Sequence, residues 1–193
     1  MTDDTHRASL RAWLDAYRRA WPEETAVVGR IRALIERRGD CLLRTCFDPG
    51  HLTASAWVCT PDAAQCVLLH HAKLDRWLQP GGHADGDPRL AEVARREVHE
   101  ETGLAAPTPF HWNGALVPLD LDVHVIPARR NEPAHEHHDV RFLLIAAHAA
   151  PLVLSEESRA VRWLPVARLA EFTAEESVLR LARKAAQWLG VDS

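Results

Sequence analysis

The stretch that decides the fold is Gly81-Gly82-His83-Ala84-Asp85-Gly86-Asp87-Pro88-Arg89, continuing as Leu90-Ala91-Glu92-Val93-Ala94-Arg95-Arg96-Glu97-Val98-His99-Glu100-Glu101-Thr102-Gly103-Leu104. Leu90, Ala91, Ala94 and Val98 recur at helical spacing and form one apolar stripe, which predicts a helix that Pro88 opens and Gly103 closes. Glu97, Glu100 and Glu101 then share one face beside that stripe. Like charges so spaced repel, and they fall in the last turns, where the helix dipole costs each carboxylate a few tenths to about 1 kcal/mol. Arg95 and Arg96 point to other faces, and Arg96 is one turn from Glu92, its expected partner. A solvated acidic face is the bland alternative, but the glycine-rich loop and the ordered Arg-Glu-Val-x-Glu-Glu-x-Gly-Leu tail weigh against it. A hard divalent cation held by carboxylate oxygens fits better.

These residues resemble the Nudix hydrolase family, whose box reads Gly, five residues, Glu, seven residues, then Arg-Glu-apolar-x-Glu-Glu-x-Gly-apolar. Residues 82–104 follow that spacing. The resemblance implies an α/β/α sandwich with a mixed sheet, and a box that binds Mg2+ or Mn2+ and hydrolyses a diphosphate joined to another moiety. Carried over residue by residue, Glu97, Glu100 and Glu101 take the metal-ligand places, with the Gly81 carbonyl as a further oxygen, and Arg96 braces Glu97. Magnesium suits hard oxygen ligands and phosphate, lowers the pKa of bound water and offsets charge on phosphoryl oxygens, so that water attacks phosphorus. Glu101 is favoured as general base because it lies nearest the apolar stripe. Glu100 is its neighbour in that role, and a later loop offers Glu136, Asp139, Glu156 and Glu157. One position departs from the box: its first Glu falls at Pro88, leaving Asp85 or Asp87 to pair with Arg96. The Gly-Gly-His-Ala-Asp-Gly-Asp run is similar to that of a bacterial subgroup in which this loop is rebuilt.

For substrate, Arg129 and Arg130 are the leading phosphate contacts, since guanidinium forks match phosphate, with two solvated loop arginines as the alternative. His83 orients the loop or meets phosphate. Trp77, Trp112 and Phe110 are candidates to stack a base, although aromatics near a sheet more often fill the core. The run His135-Glu136-His137-His138-Asp139 offers imidazole and carboxylate ligands, hence either a zinc site at His135, His137 and His138 or a polar, substrate-facing loop. His51, His70 and His71 have no spacing that singles them out.

The remaining sequence sets the frame. A chain of 193 residues has room for one domain with an appendage, read as a helical extension over residues 1–46 and a catalytic-type domain over 47–193. A net charge of −4 with scattered bases argues against polymeric nucleic acid, and the resemblance implies a small nucleotide-type substrate. Cys41, Cys46, Cys59 and Cys66 lack CxxC spacing and residues 1–4 lack a signal-peptide pattern, so the expected compartment is the cytoplasm. The longest apolar run, residues 142–154, is too short and interrupted to cross a bilayer. Two amphipathic helices built on Leu10, Trp13, Leu14, Tyr17 and Trp21, and on Val27, Val28, Ile31, Leu34 and Ile35, must bury their faces on the core or in a homodimer. Strands are expected at residues 53–60 and 65–71, joined as a hairpin by Pro61-Asp62, and at 110–116, 121–126, 140–147 and 161–164. A helix is expected at 175–189. The rival reading is a non-catalytic nucleotide-binding or regulatory protein of the same fold, with Pro88 as its support; a diphosphate isomerase is a remoter third.

Overall fold

Period-two alternation in two long strands organises the chain. The computed structural model describes residues 4–191 apart from 106, 149 and 157. In order the elements are α1 (Asp4–Ala20), α2 (Thr25–Arg37), β1 (Gly50–Cys59), β2 (Gln65–His71), β3 (Arg76–Leu78), β4 (Gly81–His83), α3 (Leu90–Thr102), β5 (Thr108–Pro109), β6 (Asp120–Ile126), β7 (His135–Ile145), β8 (Ser158–Pro165), a 3-10 helix (Val166–Glu171) and α4 (Glu176–Leu189). β1 and β7 run parallel, from Gly50 opposite Glu136 to Cys59 opposite Ile145. β4 lies antiparallel on the free edge of β1, and β6 antiparallel on β7, giving the local order β4-β1-β7-β6. β3, β2 and β8 form an antiparallel group that joins the rest where Cys59 meets Cys66.

Side chains of successive strand residues point to opposite faces. Leu52, Ala54, Ala56 and Val58 of β1 and Val140, Phe142 and Leu144 of β7 therefore share one core with the buried residues of α1, α2 and α3. Trp57, Cys59 and Leu143 share the other core with Val178, Leu181 and Ala185 of α4. A mixed sheet between helices is the α/β/α sandwich the sequence predicts. The apolar faces of the two leading helices, Leu10, Leu14 and Tyr17 with Val28, Ile31, Leu34 and Ile35, find their cover on this chain's own core.

The α4 face of the sheet is polar at one end. Thr53, Ser55, Asp139 and Arg141 are buried there, and Asp139 accepts hydrogen bonds from Thr53 at 3.0 Å, Ser55 at 2.7 Å and Arg141 at 2.8 Å. Arg141 also lies 3.3 Å from Asp120 and 3.0 Å from Asp122. Lys184 of α4 reaches Asp120 and Glu24 at 2.6 Å each, donates to the Tyr17 hydroxyl at 2.7 Å and sits over the Trp21 ring at 4.5 Å. The Tyr17 hydroxyl in turn donates to Glu24 and accepts from the Leu121 amide. The first two helices are thus tied to β6 and α4 by a buried network of charges in which Asp120 is shared by Lys184, Arg141 and Arg180.

Several expected boundaries move. Residues 110–116 do not form a strand: Asn113 and Gly114 both have positive φ, 49° and 78°, and turn the chain so that Trp112 faces Ala115. Asn-Gly is a strong turn pair because both residues accept that conformation. The histidine-rich segment belongs to β7, which starts at His135 and not near Val140. The β1–β2 hairpin pairs only at its neck, because β1 continues along β7 while β2 pairs with β8. Cys59 and Cys66 face each other at that neck as free thiols, pushed up in pKa by burial, Cys59 to about 12.

Candidate active site

α3 packs its stripe of Leu90, Ala91, Val93, Ala94 and Val98 into the core and ends at Gly103, whose φ of 73° suits glycine. The expected start at Pro88 moves to Leu90. Burying that stripe leaves the glutamates facing the short strand β4. The Gly81 amide donates to Glu101 Oε2 at 2.9 Å. A methyl group at Gly82 would lie 2.6 Å from Glu97 Cδ and 2.9 Å from its Oε1, so the carboxylate rests directly on the glycine backbone. At Gly81 a methyl would meet the Ser55 Cα at 2.6 Å, since β4 is packed against β1.

Arg96 donates to Glu97 Oε1 at 2.7 Å and to the His83 carbonyl at 3.2 Å, and stands 3.8 Å from Glu100. The expected Arg96–Glu92 pair does not form; Arg95 takes Glu92 at 2.9 Å, while the β4 carbonyl and Glu97 draw Arg96 the other way. Burial raises the Glu97 pKa above the usual carboxylate range, Arg96 opposing this and Glu100 and Asp85 adding to it. Glu100 is exposed. Neither aspartate of the loop bonds to Arg96 in place of the missing box Glu: Asp87 pairs with Arg89 at 2.8 Å, and Asp85 acts on Arg96 only through space. Two carboxylates seated on β4 beside a third form a donor set of hard oxygens, and this fits a hard divalent cation.

The other predicted residues are dispersed. Trp77 meets His70 and Phe172 edge-on and lies under Arg162, as a packed aromatic does. Phe110 and Trp112 stack on Trp188, which stacks on Trp21. Arg129 and Arg130 stand exposed in the turn between β6 and β7. Of the loop carboxylates, Glu136 bonds Arg30 at 2.7 Å and His138 at 3.0 Å, and Asp139 is committed to Arg141. Glu156 is exposed, and Glu157 lies outside the described residues.

A second group, on the opposite face of β4, combines residues that the sequence keeps apart. His51 and His137 are register partners on β1 and β7, His124 is opposite His137 on β6, and His83 is opposite Thr53 on β4. Ring centroids are 4.8 Å apart for His51–His137, 5.2 Å for His51–His83 and 5.3 Å for His83–His137. The expected trio of His135, His137 and His138 does not gather, because alternation turns His138 to the other face, where it meets Glu136. Burial pushes the pKa of His51 down to about 4 and that of His137 to about 2, with the neighbouring imidazoles adding, and lowers His83 as well. His51 carries no local sequence signal; the polar alternation His51-Thr53-Ser55 beside His137-Asp139-Arg141 is the pattern that marks it.

Comparison with known proteins gives a match to the NUDIX domain over residues 49–188. A protein of Lactococcus lactis named as a probable DHNTP pyrophosphohydrolase is 34% identical over 93 residues, which cover 48% of this chain and 52% of that protein. An m7GpppN-mRNA hydrolase of Bos taurus is 33% identical over 84 residues, 43% of this chain and 24% of that protein. The match therefore spans about half or less of these curated relatives. Among solved structures, an Ap4A hydrolase of C. elegans in a binary complex superposes with a TM-score of 0.56 at 17% identity, covering 72% of this chain and 97% of that one. At that identity the likeness is one of fold.

Proposed function

Because the chain belongs to the NUDIX family, matching its domain over residues 49–188, we propose that it hydrolyses a diphosphate linkage in a small nucleoside diphosphate derivative by attack of water at phosphorus. The observation that carries this reading is the clasp between α3 and β4, with Glu101 on the Gly81 amide, Glu97 on Gly82 and Arg96 bracing Glu97. The name of the Lactococcus relative, a pyrophosphohydrolase, supports the type of linkage.

Glu97, Glu100, Glu101 and the Gly81 carbonyl would hold Mg2+ or Mn2+. Such an ion, when bound, lowers the pKa of coordinated water and offsets charge on the phosphoryl oxygens. Glu101 is assigned as the proton acceptor, its carboxylate positioned by the Gly81 amide that donates to Oε2. Arg96 is assigned to holding Glu97 in place. Arg129 and Arg130, on their exposed turn, are assigned to phosphate, and the packed Trp77 is left to the core. Among the described residues no helix is long and apolar enough to cross a membrane. The buried thiols of Cys46, Cys59 and Cys66, outside any disulfide, support the reducing cytoplasm as the compartment.

The test is product release with and without Mg2+ across nucleoside triphosphates, nucleotide sugars, dinucleoside polyphosphates and ADP-ribose, with exposed Glu100→Gln as control. Metal-dependent turnover that Glu100→Gln abolishes is the expected result. A folded protein that binds these nucleotides and releases no product overturns it in favour of the non-catalytic alternative.

A further inference from the structure

We propose that His51, His83 and His137 form a binding site for a borderline divalent cation, zinc by its chemistry, on the face of β4 turned away from the glutamates. The three residues each present one ligand nitrogen, and these atoms lie within 4.8 Å of one another. His51 supplies an independent sign. Its ring is buried, its Nδ1 is 3.1 Å from the Cys46 carbonyl and therefore carries the proton, and its Nε2 has no hydrogen-bond partner. A buried nitrogen without a partner costs on the order of 1–3 kcal/mol, and metal-bound histidines commonly anchor the other nitrogen on a carbonyl in this way.

The neighbours repeat the pattern. His135 Nδ1 is 2.9 Å from the Pro133 carbonyl, and its ring lies 5.0 Å from that of His51, making His135 the candidate fourth ligand. His124 Nδ1 is 2.9 Å from Asp122 Oδ2. Imidazoles select Zn2+ over Mg2+, which prefers oxygen. In a tetrahedral zinc site with Zn–N of about 2.0–2.1 Å, the nitrogens sit about 3.3 Å apart. Rotation of the half-buried His83 and His137 side chains closes the remaining gap. Such an ion would pin β4 to β1 and β7 from behind, while Gly82 of the same strand receives Glu97 in front.

The whole chain, stripped of metal by chelation, is titrated near neutral pH with Zn2+ by calorimetry and with Co2+ by visible absorption, in excess Mg2+. One equivalent of Co2+ showing the intense absorption of a four-coordinate ion, and displaced by Zn2+, is expected. His137→Gln and His83→Gln should each weaken Zn2+ binding at least about 100-fold, since even outer-shell partners of metal ligands are worth 10–100-fold. Glu97→Gln should leave it unchanged. Both histidines are half-buried, unlike His51, so their variants are the ones to make, and circular dichroism verifies that they fold. Absence of Co2+ uptake in the parent, or uptake that survives both histidine variants and vanishes in Glu97→Gln, overturns the proposal.

Discussion

Replacing Gly82 by Ala tests whether the seat of Glu97 on β4 is what the reaction needs. The added methyl would stand 2.6 Å from Glu97 Cδ, against at least 3.4 Å for ordinary contact, so the carboxylate must retreat by about 1 Å. Glu97 is the end of a flexible side chain and Gly82 has no positive φ, so the fold should survive with little loss. Misplacement of a catalytic group by that distance costs about 10²-fold, or about 3 kcal/mol of transition-state stabilisation. We therefore expect kcat/KM with Mg2+ to fall about 100-fold while the urea midpoint stays near that of the parent. Gly81→Ala makes the contrast: its methyl meets the backbone of Ser55, which cannot retreat, so stability itself should fall. Gly82→Ala activity within about threefold of the parent would refute the reasoning, because Glu97 would then be shown to work equally well from a displaced position.

Three further outcomes follow from the packing. Lys184→Met removes the ammonium between Asp120 and Glu24 while Arg141 and Arg180 still hold Asp120, and should cost about 1.5–3 kcal/mol by chemical denaturation, whereas a loss under about 1 kcal/mol would mean that the two arginines carry Asp120 unaided. Asp122 pays burial but is held below the usual carboxylate range by His124, Arg141 and Arg180. Its contribution is therefore present above the unfolded value of about 3.9 and is lost as pH falls below it, and Asp122→Asn should flatten the decline in denaturation midpoint on acidification. Equal slopes for parent and variant would show that Asp122 is not the group responsible. Cys59 and Cys66 should resist thiol reagents in the native protein and react on unfolding; fast native labelling would contradict their burial.

The box was legible because its information is local. Helical spacing, a closing glycine and an ordered run of charges all lie within residues 81–104, and α3 with its C-terminal Gly103 appears where that pattern places it. What failed depended on partners far away in sequence. Helix geometry alone gives Arg96 to Glu92, but the His83 carbonyl and the seat of Glu97 on Gly82 are tertiary facts. The 110–116 strand fails for a local reason, the Asn113-Gly114 turn pair.

The histidine group shows why alternation needs to be read across strands. Within β7 the odd positions His135, His137, Asp139 and Arg141 are polar and, before Val140, the even positions Glu136 and His138 are polar too, so the segment resembles a loop. The register supplies the missing half: His51, Thr53 and Ser55 are polar at the same levels of β1, and Asp120, Asp122 and His124 at the matching levels of β6. These strands share a polar face in rows, imidazoles at one end and the Asp120–Arg141 ion pairs at the other. β4, joined to β1 by only Thr53–His83, Ala54–Gly82 and Ser55–Gly81, lies along the edge of those rows. A strand held by so few pairs takes its position from what flanks it. Gly81 and Gly82, which receive Glu101 and Glu97, thus lie on a strand backed by Ser55 and the imidazoles, so the seat of the glutamates is set by β1 and β7 as much as by α3.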